Sequence, residues 1–403
     1  MSSLKGQKRL AGHILHAYGQ YRRLWSRSHP ITLTFSVTAR CQSRCLTCHI
    51  GECYQRHEMR DRPDLIIGEI EKIFQSLGPV YFFNISGGEP FLRSDLPEIV
   101  ALAVRYLKPA IIHIPTNALA PHRIEVICRQ ILEGFRKNGV PIPLTVKPSI
   151  DGVGRLHDHI RGVPGNFNKL EETIVRLKLL AEEYSQLHVE LGTVVSKFNV
   201  DHLELIESYV HSVGIESYRH EVAEERHEFF NVGEEIAPSV DIYEKLIRHF
   251  SQGILKHLPE KRSLTRWTES LRLVYYDLAV QILKRKTQVI PCYGGISNLH
   301  LNFDGELWPC CVLAYSKPLG RLRESNYDVQ AIIRTSQAKH VLEFIRLKGC
   351  YCPLANQWYS NILLNPRWVF RVVRGNFSMA KTKKERPRSP NLQSNPTRVD
   401  ELP

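Results

Sequence analysis

Between residues 31 and 222 the hydrophobic period switches back and forth, and no other feature narrows the choice of fold so far. Short β-branched or aromatic runs at Ile31–Ser36, Val80–Ile85, Ala110–Ile114, Leu144–Pro148, Val189–Val195 and Ile215–Arg219 predict strands. Longer stretches between them carry the helical period. Leu170, Ile174, Leu177 and Ala181, for example, recur at steps of four, three and four, which keeps one helix face apolar. Repeated βα units predict a parallel sheet covered by helices. Six such units can close partly as a barrel or lie open as a doubly wound sheet, and the period is the same in both.

At 403 residues and 43% hydrophobic, the chain can bury a sizeable core and is expected to hold two or three domains. Residues 1–30 read as a basic helical segment, 31–222 as the βα region and 223–290 as a helical bridge with helices at Tyr243–Phe250 and Leu264–Leu283. Residues 291–356 switch to short strands and turns, with Leu299–Phe303, Asp304-Gly305 and Leu307–Trp308 predicting a hairpin in a small second domain. Residues 357–403 are basic and amphipathic, and after 378 too polar to pack, so the tail is expected to be disordered.

The net charge of +13 sits at the ends. Residues 1–30 hold six Lys or Arg and no acid; residues 357–403 hold nine against three acids; the difference leaves 13 − 6 − 6 = +1 for the body. Only the ends therefore favour an anionic partner, and no basic, aromatic-studded face signals nucleic acid. No apolar run approaches a membrane span and no secretory signal opens the chain, so a cytoplasmic protein is expected. In that setting ten cysteines read as metal ligands or core residues rather than disulfides.

Directly after the first strand comes Cys41-x3-Cys45-x2-Cys48, on a loop leaving the C-terminal edge of the sheet, where such folds place their chemistry. Three thiolates can hold three irons of a four-iron cluster and leave the fourth open to substrate or cofactor. A zinc knuckle completed by His49 is the competing reading, disfavoured because a His abutting Cys48 is poorly placed for a tetrahedral site. Cys53 reads as a bystander and Cys128, on an apolar helical stripe, as core.

This triplet resembles the defining motif of the radical S-adenosylmethionine (SAM) superfamily, and the resemblance continues along the sheet. Ser86-Gly87-Gly88-Glu89-Pro90 is similar to the segment that lines the SAM amino group, and Pro115-Thr116-Asn117 to a Thr-Asn-Gly motif at the third strand end. Ser149-Ile150-Asp151-Gly152, followed by His157-Asp158 and Arg161-Gly162, resembles the fourth-strand segment whose Ser and Arg meet the SAM carboxylate and ribose; Asn199 also fits. Thr47 departs from the pattern, which places an aromatic residue before the third Cys. The resemblance implies an α/β chain, a partial (β/α)6 radical SAM barrel followed by a small cysteine-rich α+β auxiliary-cluster domain. It implies a [4Fe–4S] cluster and SAM as cofactors, with Gly87, Gly88, Glu89, Pro90, Asn117, Ser149, Asp151 and Arg161 binding SAM and the cluster donating an electron to make a 5′-deoxyadenosyl radical. A flavodoxin- or ferredoxin-like electron donor follows.

Cys292, Cys310, Cys350 and Cys352 offer four more thiols, a set that would leave no iron open. They resemble the short "twitch" form of the family's SPASM extension, with one auxiliary [4Fe–4S] cluster. Cys311, beside Cys310, leaves the choice of ligand open, and a structural zinc is the alternative. A fully ligated cluster suits acceptance of an electron from a substrate radical, so the expected activity is oxidation of a small-molecule, glycan or lipid-linked substrate. The alternatives are a peptide maturase and, from another class, a non-catalytic iron–sulfur protein. His113, Glu221 and Asp304 are available proton acceptors, and none stands out as the catalytic base. Leu10, Ile14, Ala17, Tyr21 and Trp25, and the Arg367–Phe377 stretch, carry an interfacial pattern that fits peripheral contact with an anionic membrane. The same pattern suits ordinary helices packing on the barrel.

Overall fold

A computed structural model describes residues 4–24, 29–56, 59, 61–215, 217–260 and 263–374. All six predicted strands of the βα region form: β1 (Thr32–Ser36), β2 (Phe82–Ser86), β3 (Ile111–Thr116), β4 (Leu144–Pro148), β5 (Leu187–Val195) and β6 (Ser217–Val222). They pair in parallel with sequential neighbours, so strand order never reverses. Right-handed crossovers in one direction put every covering helix on the same face. The sheet must then curl around its other face, which selects the partial barrel over the doubly wound alternative.

The two faces differ as the pleat requires. Leu33 and Phe35, Phe83 and Ile85, Ile112 and Ile114, and Leu144 and Val146 join one core with the helices. Alternate positions are polar: Thr34, Ser36, Asn84, Ser86 and His113. These inner groups satisfy one another, as buried polar groups must. Asn84 Oδ1 lies 2.7 Å from His113 Nδ1, and Ser36 Oγ lies 2.7 Å from His300 Nε2. Burial pushes His113 down to about 3, so it stays neutral.

The predicted hairpin forms from β7 (Asn298–Leu301) and β8 (Glu306–Trp308), followed by β9 (Gly320–Arg321). Its first strand pairs in parallel with β1, so the cysteine-rich stretch continues the barrel sheet in the order β6-β5-β4-β3-β2-β1-β7-β8-β9. Leu299, Leu301 and Leu307 share the core of Leu33 and Phe35. The helices of the bridge are Val240–His257 and Ser263–Arg285.

Glu69, on the Ile67–Leu77 helix, ties this second region to the barrel. Its carboxylate accepts from Arg323 Nε and Nη2 at 2.9 and 3.0 Å and from the Tyr327 hydroxyl at 2.9 Å. The Arg323 hydrogen bonds hold the carboxyl down from 4.5 to about 2. The depressed value means that the stabilisation is present above about pH 4.5 and is lost as pH falls towards 2. Glu69→Gln should therefore cost about 2 kcal/mol at pH 7 in urea denaturation, with the gap to wild type closing below pH 3 or so.

The terminal helices show what their apolar stripes cover. In Leu4–Tyr21, Leu10, Ile14, Ala17 and Tyr21 pack with Ile31, Tyr293, Ile296 and Leu364. Trp368 and Val372, on the helical stretch 366–374, enter the second core and Arg371 pairs with Asp277 at 2.9 Å, while Phe370 stays exposed. Both stripes thus have partners within the chain. Trp25, Phe377 and the polar tail lie outside the described residues. Among the described residues no helix is long and apolar enough to cross a membrane.

Candidate functional site

The Cys41–Cys48 loop leaves β1 and is clamped on both sides. On one side Arg44 and Leu46 donate their backbone N–H groups to the carbonyls of Arg161 and Ile160, at 3.0 and 2.9 Å. On the other, His49 N–H donates to Phe229 O at 2.9 Å and Asn231 Nδ2 to Thr47 O at 2.8 Å. So the Thr47 position serves here as an anchor through its carbonyl. Glycines make the close approach possible. A Cβ on Gly88 would lie 2.2 Å from Arg40 O, and one on Gly162, where φ is +66°, 2.1 Å from Arg44 O.

Cys45 is buried, Cys41 and Cys48 are half-buried, and the three thiols influence one another. Burial, then Cys45 and Glu89, push the Cys41 thiol up to about 12. Burial raises Cys45, and burial with Cys45 and Cys41 raises Cys48 well above the usual thiol range. Donors nevertheless converge on the sulfurs: Asn117 Nδ2 lies 3.7 Å from Cys41 Sγ, and Arg161 Nη1 3.6 Å from Cys45 Sγ. Backbone N–H groups of Ser43 and Ile50 face Cys41 and Cys48. Such a pocket disfavours bare thiolates and favours sulfur bound to metal, whose binding displaces the protons. The donor set fits an iron–sulfur cluster.

The strand ends gather around this loop. Glu89 is buried and accepts from Phe91 N (3.1 Å), Thr116 Oγ1 (2.9 Å) and Asn117 N (2.7 Å), yet burial pushes its carboxyl up to about 7. Pro90 opens the short turn Pro90–Leu92 that fixes it. Ser149 bridges to Gly192 beyond the end of β4. Asp151 is ion-paired with Arg161 Nε at 2.8 Å and accepts from Val194 N at 2.8 Å, while Asn199 Nδ2 donates to Asp151 O at 3.0 Å. His157 Nδ1 accepts from Asp151 N at 3.2 Å, and its Nε2 lies 2.9 Å from Asn166 Oδ1. The segments flagged in the sequence thus meet through direct hydrogen bonds.

The second cysteine set also converges: Cys292, Cys310, Cys350 and Cys352 line one largely apolar cavity with Gln288 and Trp358. Cys311 does not line it. That residue opens instead onto a cavity of about 80 Å³ in the barrel lumen, bordered by Ser86, Arg226, Glu228, His300 and Cys310. Asp304 is absorbed by its turn, accepting from Asn302 Nδ2 (2.7 Å) and Glu306 N (3.1 Å). Cys128 is buried in the core. Sequence reading passed over Arg226, Glu228 and Asn231 because their segment carries no period; only the density of charge between 221 and 228 marked it.

Residues 35–207 match the sequence model of the Radical SAM superfamily. Among characterised proteins, the chain is 27% identical over 168 residues to the Fe-coproporphyrin III synthase of Methanosarcina barkeri, covering 41% of this chain and 36% of that protein. It is also 27% identical over 178 residues to the mycofactocin maturase MftC of Mycolicibacterium smegmatis, covering 43% and 40%. The chain therefore matches about two fifths of either relative's length. Among solved structures, native anSMEcpe with bound AdoMet and the Cp18Cys peptide superposes with a TM-score of 0.53 at 15% identity, over 88% of this chain and 97% of that one. At that identity the likeness is one of fold. The sequence match, the order of the strands and the buried thiol loop agree, and residues 35–207 of this chain are a radical SAM domain, whose cofactors are a [4Fe–4S] cluster and SAM.

Proposed function

We propose that the chain is a radical SAM oxidoreductase that modifies a peptide side chain. Cys41, Cys45 and Cys48 would hold the SAM-cleaving cluster, and Cys292, Cys310, Cys350 and Cys352 an auxiliary one. When bound, the first cluster and SAM supply a 5′-deoxyadenosyl radical able to abstract an unactivated hydrogen. This chain's own residues do the rest: Glu89 offers a buried carboxylate to an ammonium group, Arg161 a guanidinium to a carboxylate, and the lumen excludes water. Residues 31–222 would form the radical SAM barrel, and residues 291–356, whose first strand extends its sheet, the auxiliary region.

The lumen cavity carries the proposal. At about 80 Å³ it is far smaller than the roughly 300–1,000 Å³ of pockets that enclose a whole small ligand. One inserted side chain suits it better. It touches Cys310 of the auxiliary set and Ser86 beside Gly87, so a group held there would lie between the two sets. Relatives support the peptide over the small-molecule, glycan or lipid-linked substrate, since one is named a maturase and a fold neighbour holds a peptide. The terminal stripes, covered within the chain, give the lipid reading no support.

Deuterium tracing tests the substrate class. Uniformly deuterated cells of the source organism would be separated into a peptide fraction and a peptide-free fraction of sugars, lipids and metabolites. The reconstituted protein should transfer deuterium to 5′-deoxyadenosine from the peptide fraction. Transfer from the peptide-free fraction alone would overturn the reading. Replacing all four auxiliary cysteines by Ala should remove about four irons per chain while 5′-deoxyadenosine still forms. Zinc at those cysteines in the wild type would refute the auxiliary assignment.

A further inference from the structure

Three buried ligand atoms meet in the lumen from three separate parts of the chain. Glu228 comes from the short turn His227–Phe229, His300 from β7, and Cys311 from the loop after β8. Their ligand atoms all lie within 4.8 Å of one another, and each residue is less than a tenth exposed. Among the described residues, no other three His, Cys, Asp or Glu side chains come together in this way. None belongs to the Cys41–Cys48 loop or to the four-cysteine cavity.

We propose that Glu228, His300 and Cys311 form a mononuclear site for a zinc-class divalent cation, with its remaining position open to the lumen. Geometry supports it. Bonds of about 2.0–2.1 Å to nitrogen and oxygen at a tetrahedral angle put those atoms about 3.4 Å apart. His300 Nε2 and Glu228 Oε1 are 3.4 Å apart. Ser36 Oγ reaches the same two atoms, at 2.7 and 3.2 Å, and stands in for what a cation would satisfy.

Charge supports it too. Arg226 pairs with Glu224 at 3.2 Å and also faces Cys311 and Glu228 across the same cavity, while burial pushes the Glu224 carboxyl up to about 7. With Glu224 ionised, that one guanidinium set against Glu224, Glu228 and a Cys311 thiolate leaves two negative charges in a buried place, and a divalent cation cancels both. Thiolate, imidazole and carboxylate together suit zinc or cobalt better than magnesium or calcium, which prefer oxygen alone. The cavity beside the three residues leaves room for an oxygen or nitrogen ligand, the open position that separates a catalytic zinc site from a closed structural one. The cation would polarise such a ligand where the substrate side chain is proposed to enter.

The test uses the full chain with its iron–sulfur clusters assembled anaerobically, dialysed against zinc sulfate and desalted. Metal analysis should find about one zinc per chain, and zinc-edge X-ray absorption one sulfur with nitrogen and oxygen neighbours. Cys311→Ser and His300→Ala should lose the zinc and keep wild-type iron. Glu228→Gln keeps the shape of the side chain and its bond to Ser36, so a melting curve like that of wild type with zinc lost would exclude misfolding as the cause. Zinc retained equally by wild type and all three variants, or absent from wild type, overturns the site. So does loss of iron rather than zinc in Cys311→Ser, which would make Cys311 a cluster ligand. The outcome is independent of the peptide reading, because zinc is counted with no substrate present.

Discussion

Gly88→Ala should abolish SAM cleavage and destabilise the barrel by about 3 kcal/mol or more, at the upper end of single-residue effects. The added Cβ would meet Arg40 O at 2.2 Å, Arg40 C at 2.7 Å and Ala39 O at 2.8 Å, all backbone. No rotamer change relieves a backbone clash. Either the end of β2 or the thiol loop must shift, breaking Gly88 N–H to Thr38 O (2.8 Å) or Glu89 N–H to Arg40 O (2.7 Å). Each outcome displaces Glu89 from Thr116 and Asn117, or Cys41 from its donors. Gly134, inside the Pro121–Lys137 helix with nothing within 4 Å of a Cβ, is the control. There alanine should stabilise by about 0.5–1 kcal/mol. Urea denaturation and 5′-deoxyadenosine formation measure both, and a Gly88→Ala protein indistinguishable from wild type would mean that the strand end and thiol loop do not meet as described.

Much of this architecture was legible because local patterns and tertiary needs agree. The strands of the βα region appear within a few residues of their predicted bounds, since β-branched runs between helical stripes leave few alternatives. The segments at the strand ends could be placed together once the strands were known to be parallel, because parallel strands bring their C-terminal ends to one edge. The pairing of β7 with β1 was not legible. Those strands are separated by some 260 residues, and nothing local in Asn298–Leu301 distinguishes an extra barrel strand from a strand of a separate domain.

The lumen was half legible. Alternation in Thr34, Ser36, Asn84 and Ser86 marks a polar inner face, but the partners of Ser36, namely Glu228 and His300, come from a turn and a distant strand. Amphipathic stripes were ambiguous for a physical reason: the period that seats a helix on a membrane surface also seats it on a protein. Only the packing of Ala17 with Ile31 and Leu364, and the burial of Trp368 and Val372, shows what those faces cover.

The central claim is that the Cys41, Cys45 and Cys48 thiols hold a cluster that cleaves SAM while the second cysteine set stands apart from that step. Its most direct measurement is 5′-deoxyadenosine formed by the anaerobically reconstituted chain with SAM and dithionite, in wild type and in the Cys41→Ala/Cys45→Ala/Cys48→Ala protein. The account predicts 5′-deoxyadenosine from wild type and none from the variant, which should still hold about four irons at Cys292, Cys310, Cys350 and Cys352. Cleavage persisting in the variant, or none in a fully iron-loaded wild type, would contradict it.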